Sequence, residues 1–158
     1  MRHLFVFLLC SNSLLAQEEA RVMEPISQLF EGMKKGDSAL VHQAFYPAAR
    51  LYTVDQDSKT KQPVLRGDVF QGFLKSIGTP HTDAWNELIW SPSIEIDGNL
   101  AQVWSPYAFY AGTKFSHCGV DAFQLFKDAS GRWKIFHLAG THQTEGCVVP
   151  KEISDRIK

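Results

Sequence analysis

The sequence predicts an α+β domain in which about three N-terminal helices pack on the concave face of a curved, cone-shaped antiparallel sheet that encloses a pocket. Three observations predict it. Before residue 80 the apolar residues recur at helical spacing, interrupted by one hairpin, and after it they alternate as in strands. Turn signals divide the second half into long strands rather than βαβ units. Aromatic residues make up 12% of the chain, enough for a large core or a lined cavity.

The first helix is predicted over 18–35, because Val22, Ile26, Leu29, Phe30 and Met33 form one apolar stripe and Gly36 ends it. Pro25 fits this helix only if it starts near Met23 or is kinked there. Asp37 is placed to cap a short second helix carrying Leu40, Val41, Ala44 and Phe45, which Pro47 stops. A hairpin follows over 50–55 and 62–65. A third helix over 67–77 places Val69, Phe70, Phe73, Leu74 and Ile77 on one side.

Beyond Pro80 the alternation of Leu88, Trp90, Ile94 and Ile96 signals strand, and Asp97-Gly98 a turn. Long strands are expected over 100–111, 114–126 and 132–142, with a turn at 128–131. Pro92 and Pro106 are expected to interrupt the pairing, and Gly119 to provide a bulge or bend.

The N-terminus has the pattern of an export signal. Arg2 precedes an apolar run, Leu4 to Leu9, then a more polar stretch ending in Ala16. Residues 1–16 are therefore read as a signal peptide and 17–158 as a single domain, with 150–158 frayed. The apolar run falls well short of the ~20 residues that span a bilayer, so no membrane insertion is expected after cleavage. Leu9 stands where a lipoprotein signal has a small residue, which argues against lipidation of Cys10. Cleavage would remove one of 16 basic side chains and none of 17 acidic ones. The near-neutral balance, with no basic run, argues against nucleic acid as a partner.

Secreted or periplasmic delivery bears on Cys118 and Cys147. In an oxidising compartment a disulfide between them is favoured over two free thiols, and its loop of about 30 residues would be worth roughly 3–4 kcal/mol.

Ser116-His117-Cys118-Gly119, Phe123, then Gly131-Arg132-Trp133-Lys134-Ile135 and Gly146-Cys147 carry a family likeness. With the helix–helix–hairpin–helix start, the chain resembles the nuclear transport factor 2-like, ketosteroid-isomerase-like superfamily. It is most similar to a bacterial branch labelled lumazine-binding. The resemblance covers nearly all of 17–158 and implies a cone-shaped pocket and a homodimer formed through the outer sheet face. It does not carry an activity, because the isomerase branch's carboxylate base and tyrosine-and-acid oxyanion site have no full counterpart; Tyr52 and Asp55 lie near the right element without matching a motif.

Candidate chemistry centres on the strand over 114–126. Alternation places Phe115, His117, Gly119, Asp121, Phe123 and Leu125 on one face. His117 and Asp121 thereby become a candidate base and orienting acid for proton transfer beside a carbonyl or for loss of water. Four residues of straight strand separate them by about 13 Å, so direct bonding needs a bend or a partner from the next strand. One register puts His142 opposite His117 and Leu138 opposite Asp121; a shift of one residue puts His137 opposite Asp121. The spacing of His117, His137, His142 and Cys147 matches no compact zinc pattern, so no metal or other cofactor is expected.

Tyr52, Phe73, Trp90, Tyr107 and Phe109 fall on elements that bound the cone and are the candidate ligand-binding residues. Tyr107 and Phe109 share one side of their strand, and Trp104 and Tyr110 the other, so only one pair can line the pocket. The sequence therefore favours an exported protein that binds a hydrophobic or aromatic small molecule. The alternatives are a cofactor-free isomerase, dehydratase or hydrolase-like enzyme using His117 and Asp121, and a secreted protein–protein interaction module.

Overall fold

A computed structural model describes residues 7–157. Helices α1 (Phe7–Lys35) and α2 (Ser38–Ala44) lead into the hairpin β1 (Phe45–Gln56) and β2 (Pro63–Val69), then α3 (Phe70–Gly78). The meander β3 (Trp85–Ile89), β4 (Ser93–Asp97), β5 (Leu100–Ala111), β6 (Lys114–Lys127) and β7 (Trp133–Thr141) follows, with a short α4 (Lys151–Ser154) at the end. The sheet has seven strands in the order β2-β1-β7-β6-β5-β3, with β4 also paired to β5. It is curled, unclosed and packed against the N-terminal helices.

The predicted stripe of α1 is the core. Val22 and Ile26 are fully buried, and Leu29 and Met33 nearly so, against Phe123, Leu125 and Ile135 of the concave face. Burial of each such side chain is worth about 1.5–3 kcal/mol. The helix begins earlier than predicted and runs through the buried Pro25 without a break. That proline leaves the Arg21 carbonyl without its helical donor, a cost the packing of this face outweighs. Gly36, at φ +67°, ends the helix. The Asp37 carboxylate then accepts from Leu40 N at 2.9 Å to start α2.

Three expectations are corrected. The sheet is not wholly antiparallel: β1 and β7 are parallel, with Leu51 beside Leu138. The chain leaves β2 through α3, crosses to the far edge and meanders back, so β7 arrives beside β1 running the same way. Gly119 is not a bulge. A Cβ there would lie 2.0 Å from the Thr141 carbonyl oxygen and 2.8 Å from the Tyr107 ring, so glycine is required by close approach. The bends lie elsewhere, at register shifts between Phe109 and Tyr110 and between Gln124 and Leu125. Finally, the tail after Pro150 is not frayed, since α4 buries Ile153 and closes a Lys151–Asp155 ion pair at 2.7 Å.

β3 and β4 act as one edge strand broken at 90–92. Each pairs with half of β5, and Ser91 at φ +46° with Pro92 makes the break. Pro106, which has no N–H to give, stands across from this gap, where its carbonyl accepts from Trp90 N at 3.3 Å.

Cys118 and Cys147 are joined, with an S–S distance of 2.07 Å and Cα atoms 5.9 Å apart. The two-way backbone pairing of Cys118 with Gln143 brings the chain back to the sheet just before the bridge. Among the described residues no helix is long and apolar enough to cross a membrane. The bridge and this finding are compatible with a secreted or periplasmic protein. Residues 1–6 of the expected signal segment lie outside the described residues.

Candidate functional site

The curl of the sheet and the two helices above it form a partly open cavity of about 170 Å³. Leu29 and Met33 of α1 and Phe73 of α3 roof it. Leu51, Tyr52 and Thr53 of β1 and Leu138, Gly140 and Thr141 of β7 form one wall. The opposite wall brings together three polar side chains from three successive strands: Glu87 of β3, Tyr107 of β5 and Asp121 of β6.

Asp121 is 6% exposed, and no donor from the protein reaches its Oδ2. Its neighbour is Glu87, whose carboxyl lies within hydrogen-bonding reach. Ionising both carboxyls in contact inside an apolar wall is strongly disfavoured, so the pair favours holding a proton between them. Burial pushes Asp121 up from the ordinary 3.8 to about 6. Burial, then the charge of Asp121, pushes Glu87 well above the usual carboxylate range. Near neutral pH the pair therefore holds one proton and one negative charge. Gly140 makes room for it, since a Cβ there would stand 2.9 Å from Asp121 Oδ1.

Tyr107 is committed to the frame. Its hydroxyl donates to the Thr141 carbonyl at 2.7 Å, and Thr141 Oγ1 accepts from Val120 N at 2.9 Å. Burial raises the Tyr107 phenol, followed by the charges of Glu87 and Asp121, so it stays a neutral donor.

His117 is not among the residues lining the cavity. Its ring stacks on Phe109 at 4.9 Å and lies 4.3 Å from the ring of His142. Burial, then the proximity of His142, lowers it from 6.5 to about 4, so it is neutral at physiological pH. His142 in turn lies 3.5 Å from Asp55 Oδ1. The structure thus brings His117 to His142 and Asp55, and Asp121 to Glu87. Neither register considered from the sequence occurs: Asp121 pairs with Gly140, because the turn spans 128–132, one residue more than expected, and Phe136 is looped out of the β6–β7 ladder. Among the described residues no group of three or more histidine, cysteine or acidic side chains could hold a metal ion.

Of the aromatic candidates, Tyr52, Phe73 and Tyr107 line the cavity, while the Tyr52 ring also packs on Gly67 and lies 5.7 Å from His137. Phe109 shares the concave face but lies beyond the cavity, between His117 and Trp85. Trp90 sits at the break between β3 and β4, where its carbonyl accepts from Ser105 Oγ at 3.2 Å, away from the lining.

No family model and no curated protein sequence matches the chain. Solved structures do. An NTF2-like protein of unknown function from Shewanella baltica is 25% identical with a TM-score of 0.61, over 82% of this chain and 97% of that one. An NTF2-like protein with a cystatin-like fold from Novosphingobium aromaticivorans gives 0.65 at 9% identity, over 99% of each chain. The fold is nuclear transport factor 2-like. A candidate ketosteroid isomerase from Shewanella frigidimarina is also similar, at 16% identity and a TM-score of 0.56 over 76% of this chain and 94% of that one.

Within this nuclear transport factor 2-like cone, the residue that sequence reasoning missed is Glu87. Alternation read from Leu88 and Trp90 placed it on the opposite face. In the structure Trp85, Glu87 and Ile89 face inward in β3, whereas Ile94 and Ile96 do so in β4. The break at Ser91-Pro92 shifts the phase by one residue, and that dipeptide is the signal that could have revealed it.

Proposed function

We propose that this is an exported protein whose cone binds a small hydrophobic or aromatic molecule against the Glu87–Asp121 pair. The observation that carries the reading is a partly open, mainly apolar cavity with a buried carboxylate oxygen in its wall that no donor other than a protonated Glu87 reaches among the described residues. A hydrogen-bonding group left without a partner in the interior costs about 1–3 kcal/mol, and a bound molecule supplying the partner recovers it. The volume sets the size. Cavities of about 150 Å³ accept one benzene-sized ring, so the 170 Å³ here suits a single ring with one substituent. The flat ligands implied by the lumazine-binding likeness belong to the same chemical class, and the volume favours its smaller members.

Export is supported by where the contacts of α1 begin. Glu18, two residues past the expected cleavage point, accepts from Trp133 Nε1 at 2.8 Å and pairs with Lys127. Leu14 and Leu15, before that point, are 67% and 54% exposed. A homodimer through the outer sheet face is part of the same proposal. Native mass spectrometry of protein purified from its own host tests the binding reading. A copurified small molecule released on denaturation is expected. An unliganded spectrum together with no thermal shift from saturating toluene would end it.

A second reading, proton-transfer catalysis on a small carbonyl compound, is favoured by the shared proton itself. A carboxyl pair holding one proton places an acid beside a base. Isomerisation of 3-cyclohexenone to its conjugated isomer tests it. Activity abolished by Asp121→Asn and Glu87→Gln but kept by His117→Ala would assign the chemistry to the pair. Loss in His117→Ala and Asp121→Asn alone would assign it to the pairing read from the sequence. No turnover leaves binding as the function.

A further inference from the structure

We propose that the cavity selects a cationic ligand, a small amine on a single-ring body, over its neutral and anionic counterparts. This rests on the binding reading and concerns the charge its ligand carries. The argument is the inventory of polar groups around the cavity. Two carboxyls face it, and no lysine, arginine or histidine is among the described residues that line it. Tyr107 spends its hydroxyl proton on the Thr141 carbonyl, so the phenol offers the cavity only an acceptor oxygen. Thr141 Oγ1 already accepts from Val120 N. The hydroxyls of Tyr52, Thr53 and Thr141 remain as neutral donors, but the wall carries a buried negative charge that no lysine, arginine or histidine among its described lining residues neutralises.

Asp121 Oδ2 sharpens this. It is buried, and apart from a proton carried by Glu87 it has no hydrogen-bond donor among the described residues, so a bound molecule is the other source of a donor. An ammonium group supplies up to three donors and one positive charge. Set against a pair that holds one negative charge, it leaves the occupied cavity neutral, the condition under which burying charged groups is tolerated. A carboxylate or phosphate would meet like charge. A neutral alcohol would give Oδ2 a donor but leave the charge unpaired. The apolar roof of Leu29, Met33 and Phe73 receives the ring.

The experiment is calorimetric titration of the full exported chain with benzylamine, benzyl alcohol and toluene at pH 7.5, repeated at pH 5. Benzylamine is expected to bind at least about tenfold more tightly than benzyl alcohol at pH 7.5, as charge-assisted hydrogen bonds exceed neutral ones. That preference should shrink at pH 5, where the pair takes up its second proton, and toluene should be indifferent to pH. Asp121→Asn should remove the preference, and Glu87→Gln should alter it if the asparagine variant does not fold. Equal or tighter binding of benzyl alcohol overturns the inference while sparing the binding reading. So does an amine preference that survives in the folded variants. If none of the three probes binds, the binding reading itself falls and the inference with it.

Discussion

Asp121 and Glu87 sit on different strands and acquire their properties from burial and from each other. Asp121 was legible, because alternation along a strand with one buried face identifies the inward residues. Glu87 was not, because the side chains of β3 and β4 keep different phases across a break made by two residues. The pair has a definite pH consequence. Both carboxyls bind protons more tightly folded than unfolded, so their contribution is complete below about pH 4 and is lost as pH rises through about 6 and beyond. His117 acts in the opposite sense: its lowered folded value makes stability fall as pH drops from 6.5 toward 4. Glu87→Gln isolates the pair, because His117 is common to both proteins. The variant should exceed the wild type by roughly 1–3 kcal/mol at pH 8, with the difference vanishing near pH 4. Urea unfolding at the two pH values measures it. A variant no more stable than the wild type at pH 8 would mean that the carboxyls do not share a buried site.

At the scale of elements, helix and strand assignments follow from periodicity, and the structure departs from them where the backbone rather than the side chain decides. A bulge changes the register without altering the pattern of apolar residues that precede it. Phe136 looks like one more apolar residue of β7, yet it faces outward beside Phe126, with ring centroids 6.3 Å apart, and moves Gly140 opposite Asp121. Gly119 reads as a bulge or bend in the sequence and is instead, like Gly140, a place of close contact. Because the Thr141 carbonyl occupies the Cβ position of residue 119, Gly119→Ala must push β6 from the end of β7. The Tyr107 hydroxyl bond to that same carbonyl would loosen with it. Such overpacking against backbone costs about 1–3 kcal/mol or more, and thermal unfolding should register it. The variant should also lose ring binding, since Tyr107 and Thr141 both line the cavity. Unchanged stability would show that the two strands separate freely here.

For the whole molecule, the disulfide divides the outer face of the sheet into two regions. Cys118 points outward and is buried beside the fully buried Ala108, its partner across β5–β6. The bridge to Cys147 therefore carries the C-terminal segment over that end of the face. At the other end none of the described residues covers an apolar surface. Tyr46, Leu100 and Trp104 are 45%, 53% and 58% exposed, and Phe126 stands edge-on to Tyr46. A sequence shows that Trp104 faces away from Tyr107 but not which part of that outer face the tail will occupy. The division limits the proposed homodimer to the uncovered end, where a second copy would bury the aromatic side chains. Sedimentation equilibrium of the oxidised protein should give a dimer. Trp104→Glu combined with Leu100→Glu should give a monomer, with stability within about 0.5 kcal/mol per substitution, because neither side chain is in the core of a single copy. A wild-type monomer at every concentration measured, or a dimer that tolerates both charges, would place self-association elsewhere or remove it. Reduction of the bridge provides the internal control. It frees the tail at the covered end and should leave an interface at the uncovered end intact.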